Sequence, residues 1–260
     1  GFAKSLKVDV TTADTSIAAS QYAHIFHRIE AQNLQHLKFG TSDAQNFTLS
    51  FYVKSNKTGT YALLIGQNDN SYKQASQTYT IDSANTWERK SLTFTGDTAG
   101  VINDDNGHGL EIVWWLALGS TYTSGSSSAS FATYSDANHG AGHAVNVLDS
   151  TDNTWFLTGC QLEVGQNETV FEHEPFARTL AKCQRYFFKA DEIQYGGYGS
   201  SSAADYATMT FPVTMNHDPD MTGVGSGNTA QTISVDYAQV YRVGGYALWD
   251  AGATAEAELD

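Results

Sequence analysis

The stretch FTLSFYVKSNKTGTYALLI, residues 47–65, decides the fold class. Its first half alternates apolar with mostly polar residues: Phe47, Leu49, Phe51 and Val53 alternate with Thr48, Ser50, Tyr52 and Lys54. Side chains of a β-strand point to opposite faces in turn, so this period of two predicts a strand with one buried face. After the turn-like residues 56–59 the pattern resumes at Tyr61, Leu63 and Ile65. The chain is therefore predicted to be all-β.

Other stretches extend this prediction. Ile112 to Leu118 is apolar on both faces, which indicates a central strand covered on both sides, and we expect Trp114 and Trp155 in the core. A further strand is predicted to place five side chains on one face: Phe156, Thr158, Cys160, Leu162 and Val164. The strand beginning at Trp87 loses its apolar phase before Leu92 and Phe94. We explain that slip by a bulge near Arg89 or Lys90.

The C-terminal part has a different sequence pattern. Phe176, Leu180 and Cys183 follow Pro175 at helical spacing, which predicts one or two helical turns. After Lys189, short β-like runs are separated by Gly-rich turns. The apolar residues of these runs are Ala207, Met209, Phe211 and Val213 in the first, Ile233, Val235 and Tyr237 in the second, and several within residues 240–249 in the third. About 70 residues with so few apolar side chains would be marginal alone. We expect residues 190–260 to pack on the main body, residues 1–189, or on other copies of the chain.

Composition excludes several functions. The 260 residues include 14 basic and 28 acidic ones, a net charge of −14, which argues against binding nucleic acid or an anionic membrane. Cys160 and Cys183 are too few for a disulfide framework, so we expect reduced, partly buried thiols. We find no signal peptide and no membrane span. Because residue 1 is Gly, we expect the chain to be processed or to belong to a longer protein.

Residues 119–153 form a long stretch rich in Gly, Ser, Thr, Ala and Asn, without sustained periodicity. Long loops of this kind are usually functional or disordered. Tyr122 and Tyr134, with Asn138 and His139 nearby, have the chemistry to bind a sugar, whose flat face stacks on aromatic rings and whose hydroxyls bond to polar groups. The alternative is that these aromatic rings only anchor the loop on the sheet.

An enzyme is not expected. Asp97, Asp104 and Asp105 resemble glycosidase carboxylates but also suit ordinary turns. The two glycines between His139 and His143 disfavour a helical zinc site. No nucleophile elbow or phosphate loop is present. We therefore expect no catalytic residues and no cofactor, although composition leaves a structural calcium possible, with these oxygen ligands: Asp9, Asp14, Asp97 and Glu163.

Three stretches together resemble a bacteriophage family. They are GFAKSLKVDVTTADTSIA at residues 1–18; FTLSFYVKSNKTGTYAL with TYTIDSANTWERKSLTFTGDTAG at 47–63 and 78–100; and FLTGCQLEVGQNETVFEHEPFARTLAKCQRYFF at 156–188. This order resembles the β-sandwich of phage tail-fibre and virion-surface proteins, and in that family the domain is similar to carbohydrate-binding jelly rolls. The closing ALWDAGATAEAELD, residues 247–260, resembles the short β tail that follows it.

The resemblance implies a function and partners. It implies a jelly-roll sandwich over residues 1–189, a self-associating β region over 190–260, and a virion component, commonly a homotrimer, that contacts other virion proteins and host-surface glycans. It implies no catalytic residues and transfers no sugar-binding residues. A capsid-decoration or connector protein without glycan binding is the first alternative, and a polysaccharide depolymerase is the second.

Overall fold

We describe a computed structural model of the chain, which covers residues 2–69, 71–190, 195–198, 204–223, 229–243, 246–248 and 253–259. The chain divides into two compact units, Gly1–Glu172 and His173–Asp260. The division lies earlier than the boundary after Lys189 that we expected. The reason is that Phe187–Lys189 pairs as a strand with Thr254–Glu256, and the amide of Ala257 donates to the carbonyl of Tyr186. No helix in the described part of the chain is long and apolar enough to span a membrane.

The first unit is a β-sandwich of antiparallel strands. Its strands are β1 (Leu6–Asp9), β2 (Tyr22–Glu30), β3 (Phe47–Ser55), β4 (Gly59–Gln67), β5 (Lys73–Ile81), β6 (Glu88–Phe94), β7 (His108–Leu118), β8 (Ser128–Thr133) and β9 (Thr154–Val164). One sheet has the order β1-β9-β3-β6 and the other has the order β2-β7-β4-β5-β8. Four short 3₁₀ segments lie between strands: Ala31–Leu37, Ser120–Tyr122, Asp136–Asn138 and Val147–Asp149. The predicted all-β jelly-roll sandwich is confirmed.

The core lies between the two sheets and follows the predicted alternation. Phe47, Leu49, Phe51 and Val53 of β3 are buried, and they share one cluster with Tyr61, Leu63 and Ile65 of β4. Trp114 and Trp155 belong to the same cluster, as predicted. Strand β7 lies between β2 and β4 and is buried on both faces, so the predicted central strand is confirmed.

The predicted bulge near Arg89 or Lys90 is wrong. Strands β3 and β6 pair without interruption from Phe47 opposite Phe94 to Val53 opposite Glu88. Lys90 therefore shares the inward face with Phe51, at the margin of the sheet. There its ammonium lies 2.6 Å from Glu88 and 3.2 Å from Asp82. An ion pair occupies the inward positions where the pattern led us to expect apolar residues.

The bulge lies instead in β9. The register between β3 and β9 shifts at Gly159–Cys160, and Gly159 has a φ of +58°. Before the bulge, Trp155 and Leu157 are buried in the core, whereas Phe156 and Thr158 are on the outer face. The predicted single face from Phe156 to Val164 is therefore wrong, because the extra residue exchanges the faces of the strand.

The second unit consists of one helix and short strands. Its elements are α1 (Phe176–Gln184), β10 (Phe187–Lys189), β11 (Tyr195–Tyr198), β12 (Ala204–Thr210), β13 (Asp220–Met221), β14 (Thr229–Ile233), β15 (Tyr237–Val243), β16 (Tyr246–Leu248) and β17 (Thr254–Glu256). They form the sheets β10-β17-β13, β11-β16 and β12-β15-β14. Among the described residues of this unit, the buried cluster consists of alanines, two methionines and Phe211. The predicted helix is confirmed, but Phe176, Leu180 and Cys183 are exposed. The side chains of residues 240–250 lie outside the described residues.

Candidate functional site

The candidate site is a cleft on the outer face of the five-stranded sheet, which we call the outer cleft. Its volume is about 290 Å³, and its lining is Tyr22, His24, Leu64, Tyr72, Glu111, Val113, Trp115, Tyr122, Tyr134 and His139. Three adjacent strands form the floor, because the pairing places Trp115 beside His24 on β2 and Val113 beside Leu64 on β4. The apolar outer face of β7 is thus the base of the site.

The long segment 119–153 forms the wall of the outer cleft. It is ordered, and it contains β8, which adds a fifth strand to the sheet beside β5. The indole Nε1 of Trp115 donates to the carbonyl of His139 at 3.0 Å. The amide of Ala62 donates to Nδ1 of His143 at 3.1 Å, and the amide of Ala144 donates to the carbonyl of Thr60 at 3.0 Å. These bonds fix the segment across strands β7 and β4.

Three of the four predicted site residues meet in this cleft. The His139 ring lies 4.9 Å from the Tyr134 ring and 5.8 Å from the Tyr122 ring, both edge to face. Asn138 is not part of the lining. Its side-chain oxygen accepts from the amide of Ser126, and its carbonyl accepts from the hydroxyl of Ser76. Asn138 therefore holds the segment in place.

Sequence reasoning missed the rings that the strands contribute. Tyr22 stacks on His24 at 5.3 Å and lies edge to face with Trp115 at 5.8 Å and with Tyr122 at 5.5 Å. The spacing of Tyr22, His24 and Phe26 could have predicted this contribution, since a period of two places all three side chains on one face of β2. Trp115 was implied by the two-sided apolar pattern of β7, in which it must point away from Trp114.

The turn between β4 and β5 supplies another ring. Ser71 and Tyr72 have φ values of +55° and +45°, a backbone conformation that is costly for residues other than glycine. This conformation brings Tyr72 back over the sheet, 5.4 Å from Tyr134. Gly66 leaves room for it, because a Cβ there would lie 2.5 Å from the Tyr72 hydroxyl. Such local strain is a frequent property of ligand sites.

The outer cleft carries little net charge at neutral pH. Burial lowers the pKa of His24 and of His139, so both rings are neutral. The hydrogen bond to Asp136 raises the pKa of Tyr134 to about 12. Glu111 is paired with Arg28, with Oε2 3.2 Å from Nε. The lining therefore offers ring faces, hydroxyls and imidazole nitrogens, which suit stacking and hydrogen bonding to a neutral, hydroxyl-rich molecule.

The other candidates are not assembled into a site. No group of three or more His, Cys, Asp or Glu side chains able to hold a metal is found among the described residues. The proposed calcium ligands have separate contacts: Asp9 with Lys7, Asp14 with the amide of Ser16, Asp97 with Lys73, and Glu163 with Thr169. Cys160 and Cys183 are free, as predicted. Burial raises the pKa of the Cys160 thiol to about 12, so that sulfur is shielded although the residue as a whole is exposed. Cys183 is exposed rather than partly buried.

A larger cavity of about 490 Å³ lies on the outer face of the four-stranded sheet, lined by residues 2–5 and by Tyr52, Lys54, Trp87, Phe156 and Thr158. We place the candidate glycan site in the smaller outer cleft, because the predicted loop residues and more aromatic rings converge there.

Comparisons with known proteins are sparse. No protein-family model matches the sequence, and no curated protein matches it significantly. A structure described as "CBM4 structure and function" has 12% identity and a TM-score of 0.31, and the match covers 59% of this chain and 67% of that one. A "Family 16 Carbohydrate Binding Module-2" has 14% identity and a TM-score of 0.30, with 62% and 77% covered. At these TM-scores, neither similarity assigns a ligand to this chain.

Proposed function

We propose that the chain binds glycans, and that the outer cleft is the binding site. The observation that carries the proposal is the convergence of Tyr22 and Trp115 from the sheet with Tyr122, Tyr134 and His139 from the wall around a nearly uncharged cleft. Tyr22 and Tyr134 remain 52% and 46% exposed, although aromatic side chains gain stability mainly by burial. Exposed rings grouped around a cleft are typical of a surface that a ligand covers.

The size and polarity of the outer cleft define the ligand class. A volume of about 290 Å³ is at the lower end of the range of about 300 to 1,000 Å³ for ligand pockets, so one or two sugar rings would fill it. Nδ1 of His24 and Nδ1 of His139 are buried without a hydrogen-bond partner among the described residues. A small rearrangement of either imidazole ring would let a sugar hydroxyl bond to it. Neutral sugars therefore match the site better than charged ones.

A glycan array followed by isothermal titration calorimetry tests this proposal. The variant Tyr122→Ala plus Tyr134→Ala removes two rings of the wall. At about 1 kcal/mol for each ring, the Kd should rise about 30-fold. The matched control is Tyr237→Ala, an exposed tyrosine of the second unit that lines neither cavity. If the wild-type chain binds no glycan in any format, the rings only anchor the segment, and an architectural connector is the better interpretation.

We also propose, from the resemblance described above, that the chain is a phage tail-fibre or virion-surface subunit that recognises host glycans. Antibody labelling of the parent virion in electron microscopy tests this location, and particles without surface label would refute it. New reducing ends after incubation with host capsule would instead favour a depolymerase.

Self-association as a homotrimer is the accompanying proposal. Its physical motive is the alanine-rich buried cluster found among the described residues of the second unit. Light scattering at micromolar concentration should give the mass of a trimer, and a monomer mass would contradict it.

A further inference from the structure

The larger cavity, which we call the lysine pocket, is on the opposite sheet from the outer cleft and shares no lining residue with it. Its volume is about 490 Å³, and its lining is Phe2, Ala3, Lys4, Ser5, Tyr52, Lys54, Trp87, Phe156 and Thr158. Residues 166–169 cover another part of this sheet face, where the hydroxyl of Ser91 donates to Glu168 at 2.9 Å and that of Thr93 donates to the carbonyl of Gln166 at 3.1 Å. The lysine pocket is a separate concavity on that face.

Aromatic rings define two sides of the lysine pocket. The Phe2 ring lies 5.3 Å from the Tyr52 ring, and the Trp87 ring lies 6.2 Å from the Phe156 ring. The bulge in β9 makes this possible, since it places Phe156 on the outer face. It also provides Gly159, where a Cβ would come within 2.3 Å of the Phe2 ring. Trp87 is 41% exposed, so part of its ring surface is open to a ligand.

A cation lies between the rings. The Lys54 ammonium is 4.3 Å from the centre of the Phe156 ring and 5.2 Å from that of Trp87, both within cation–π range. Lysines 57, 73 and 90 each pair with a carboxylate. No carboxylate among the described residues lies within 4.0 Å of the Lys54 ammonium. The Lys54 ammonium is therefore available to an anionic group of a ligand.

We propose that the lysine pocket binds a carboxylated sugar, such as a uronic acid unit of a polysaccharide. The apolar face of the pyranose ring would stack on Trp87 and Phe156, and its carboxylate would pair with Lys54. The Lys54 ammonium between the aromatic walls matches one carboxylate on a flat ring, and Lys4 adds a second positive charge to the lining. A phosphate group would instead require several convergent donors, typically arginine or backbone amides. The proposal is independent of neutral-glycan binding in the outer cleft.

Calorimetry with a matched ligand pair tests the proposal. The probes are a tetramer of galacturonic acid and its fully methyl-esterified form, which keeps the sugar rings but carries no charge. The acid form should bind at least about tenfold more tightly, because charge-assisted hydrogen bonds are the stronger ones. Lys54→Gln should weaken binding of the acid about tenfold and make the two probes equal. Lys38→Gln, an exposed lysine that lines neither cavity, should bind like the wild type.

Two further measurements locate the binding. The acid tetramer should shift the indole N–H signal of Trp87 in a ¹H–¹⁵N spectrum, with the signal assigned by its loss in Trp87→Phe. Tyr122→Ala plus Tyr134→Ala should leave the affinity for the acid unchanged. The proposal is overturned if the acid and the ester bind equally to the wild type, if Lys54→Gln binds the acid as tightly as the wild type, or if the Trp87 signal does not move. It is also overturned if neither the tetramer nor a hyaluronan tetrasaccharide binds.

Discussion

Acidification should loosen the wall of the outer cleft through His143. Its Nδ1 accepts the amide hydrogen of Ala62, and burial lowers its pKa from 6.5 to about 4. As the pH falls below 6.5, the unfolded chain takes up a proton that the native chain binds only near pH 4, so the free energy of unfolding decreases. In full, this pKa shift corresponds to about 3.4 kcal/mol of unfolding free energy. About 2.5 kcal/mol of it is lost when the pH has fallen to 4.5.

A variant separates this effect from other titrations. Burial also lowers the pKa of four other histidines: His24, His27, His108 and His139. In His143→Asn, the amide oxygen can accept from Ala62 without titrating. We therefore expect the loss of stability between pH 7.5 and pH 4.5 to be about 2.5 kcal/mol smaller than in the wild type.

Urea unfolding at both pH values, followed by tryptophan fluorescence, measures the difference. Four of the five tryptophans lie in the first unit, so the signal reports mainly on the sandwich. His36→Asn, at an exposed histidine of the same unit, should keep the wild-type pH dependence. Equal losses in wild type and His143→Asn would refute the reasoning, because His143 would then not be the buried group that resists protonation.

Three other changes test the fold and the site. Phe51→Ala, at a side chain with 0% exposure, should lower the free energy of unfolding by about 3 to 5 kcal/mol in urea titrations. Asp97→Asn should lower the free energy of unfolding by about 3 kcal/mol in the same measurement, because it removes the carboxylate 2.7 Å from the Lys73 ammonium and leaves that cation unpaired. A decrease of less than about 1 kcal/mol would contradict this prediction. Gly66→Ala should push the Tyr72 ring out of place and weaken glycan binding several-fold in calorimetry, with unfolding changed by less than about 1 kcal/mol. Unchanged affinity would show that Tyr72 does not contact the ligand.

The core was predictable because its signal is local. Alternation in β3 and β4 depends only on neighbouring residues, and the buried set from Phe47 to Ile65 follows it closely. The bulge predicted in β6 was wrong because Lys90 is stabilised on the inward face by Asp82, a residue outside this strand. The bulge in β9 was missed because Gly159 and Cys160 do not interrupt the apparent pattern.

The outer cleft was predictable only in part. The loop residues Tyr122, Tyr134 and His139 stand out because aromatic side chains are unusual in a stretch of small polar residues. Their partners Tyr22 and Trp115 come from strands that meet the loop only after the sheet has formed. Which strands the loop crosses is a tertiary property, and no spacing in the sequence encodes it.

One contact between the two sheets determines where another chain could add a strand. Thr95, just after β6, bridges to Ser130 of β8, and its amide donates to the carbonyl of Ala129 at 2.9 Å. The margins formed by β6 and β8 thus protect each other from edge-to-edge aggregation. The opposite margins are β1, with four residues, and β2, with nine. The register shifts between β2 and β7 come from extra residues of β7, Leu116 and Gly109, so β2 itself keeps the even spacing of its backbone donors and acceptors. The margin formed by β2 is therefore the better template for an incoming strand.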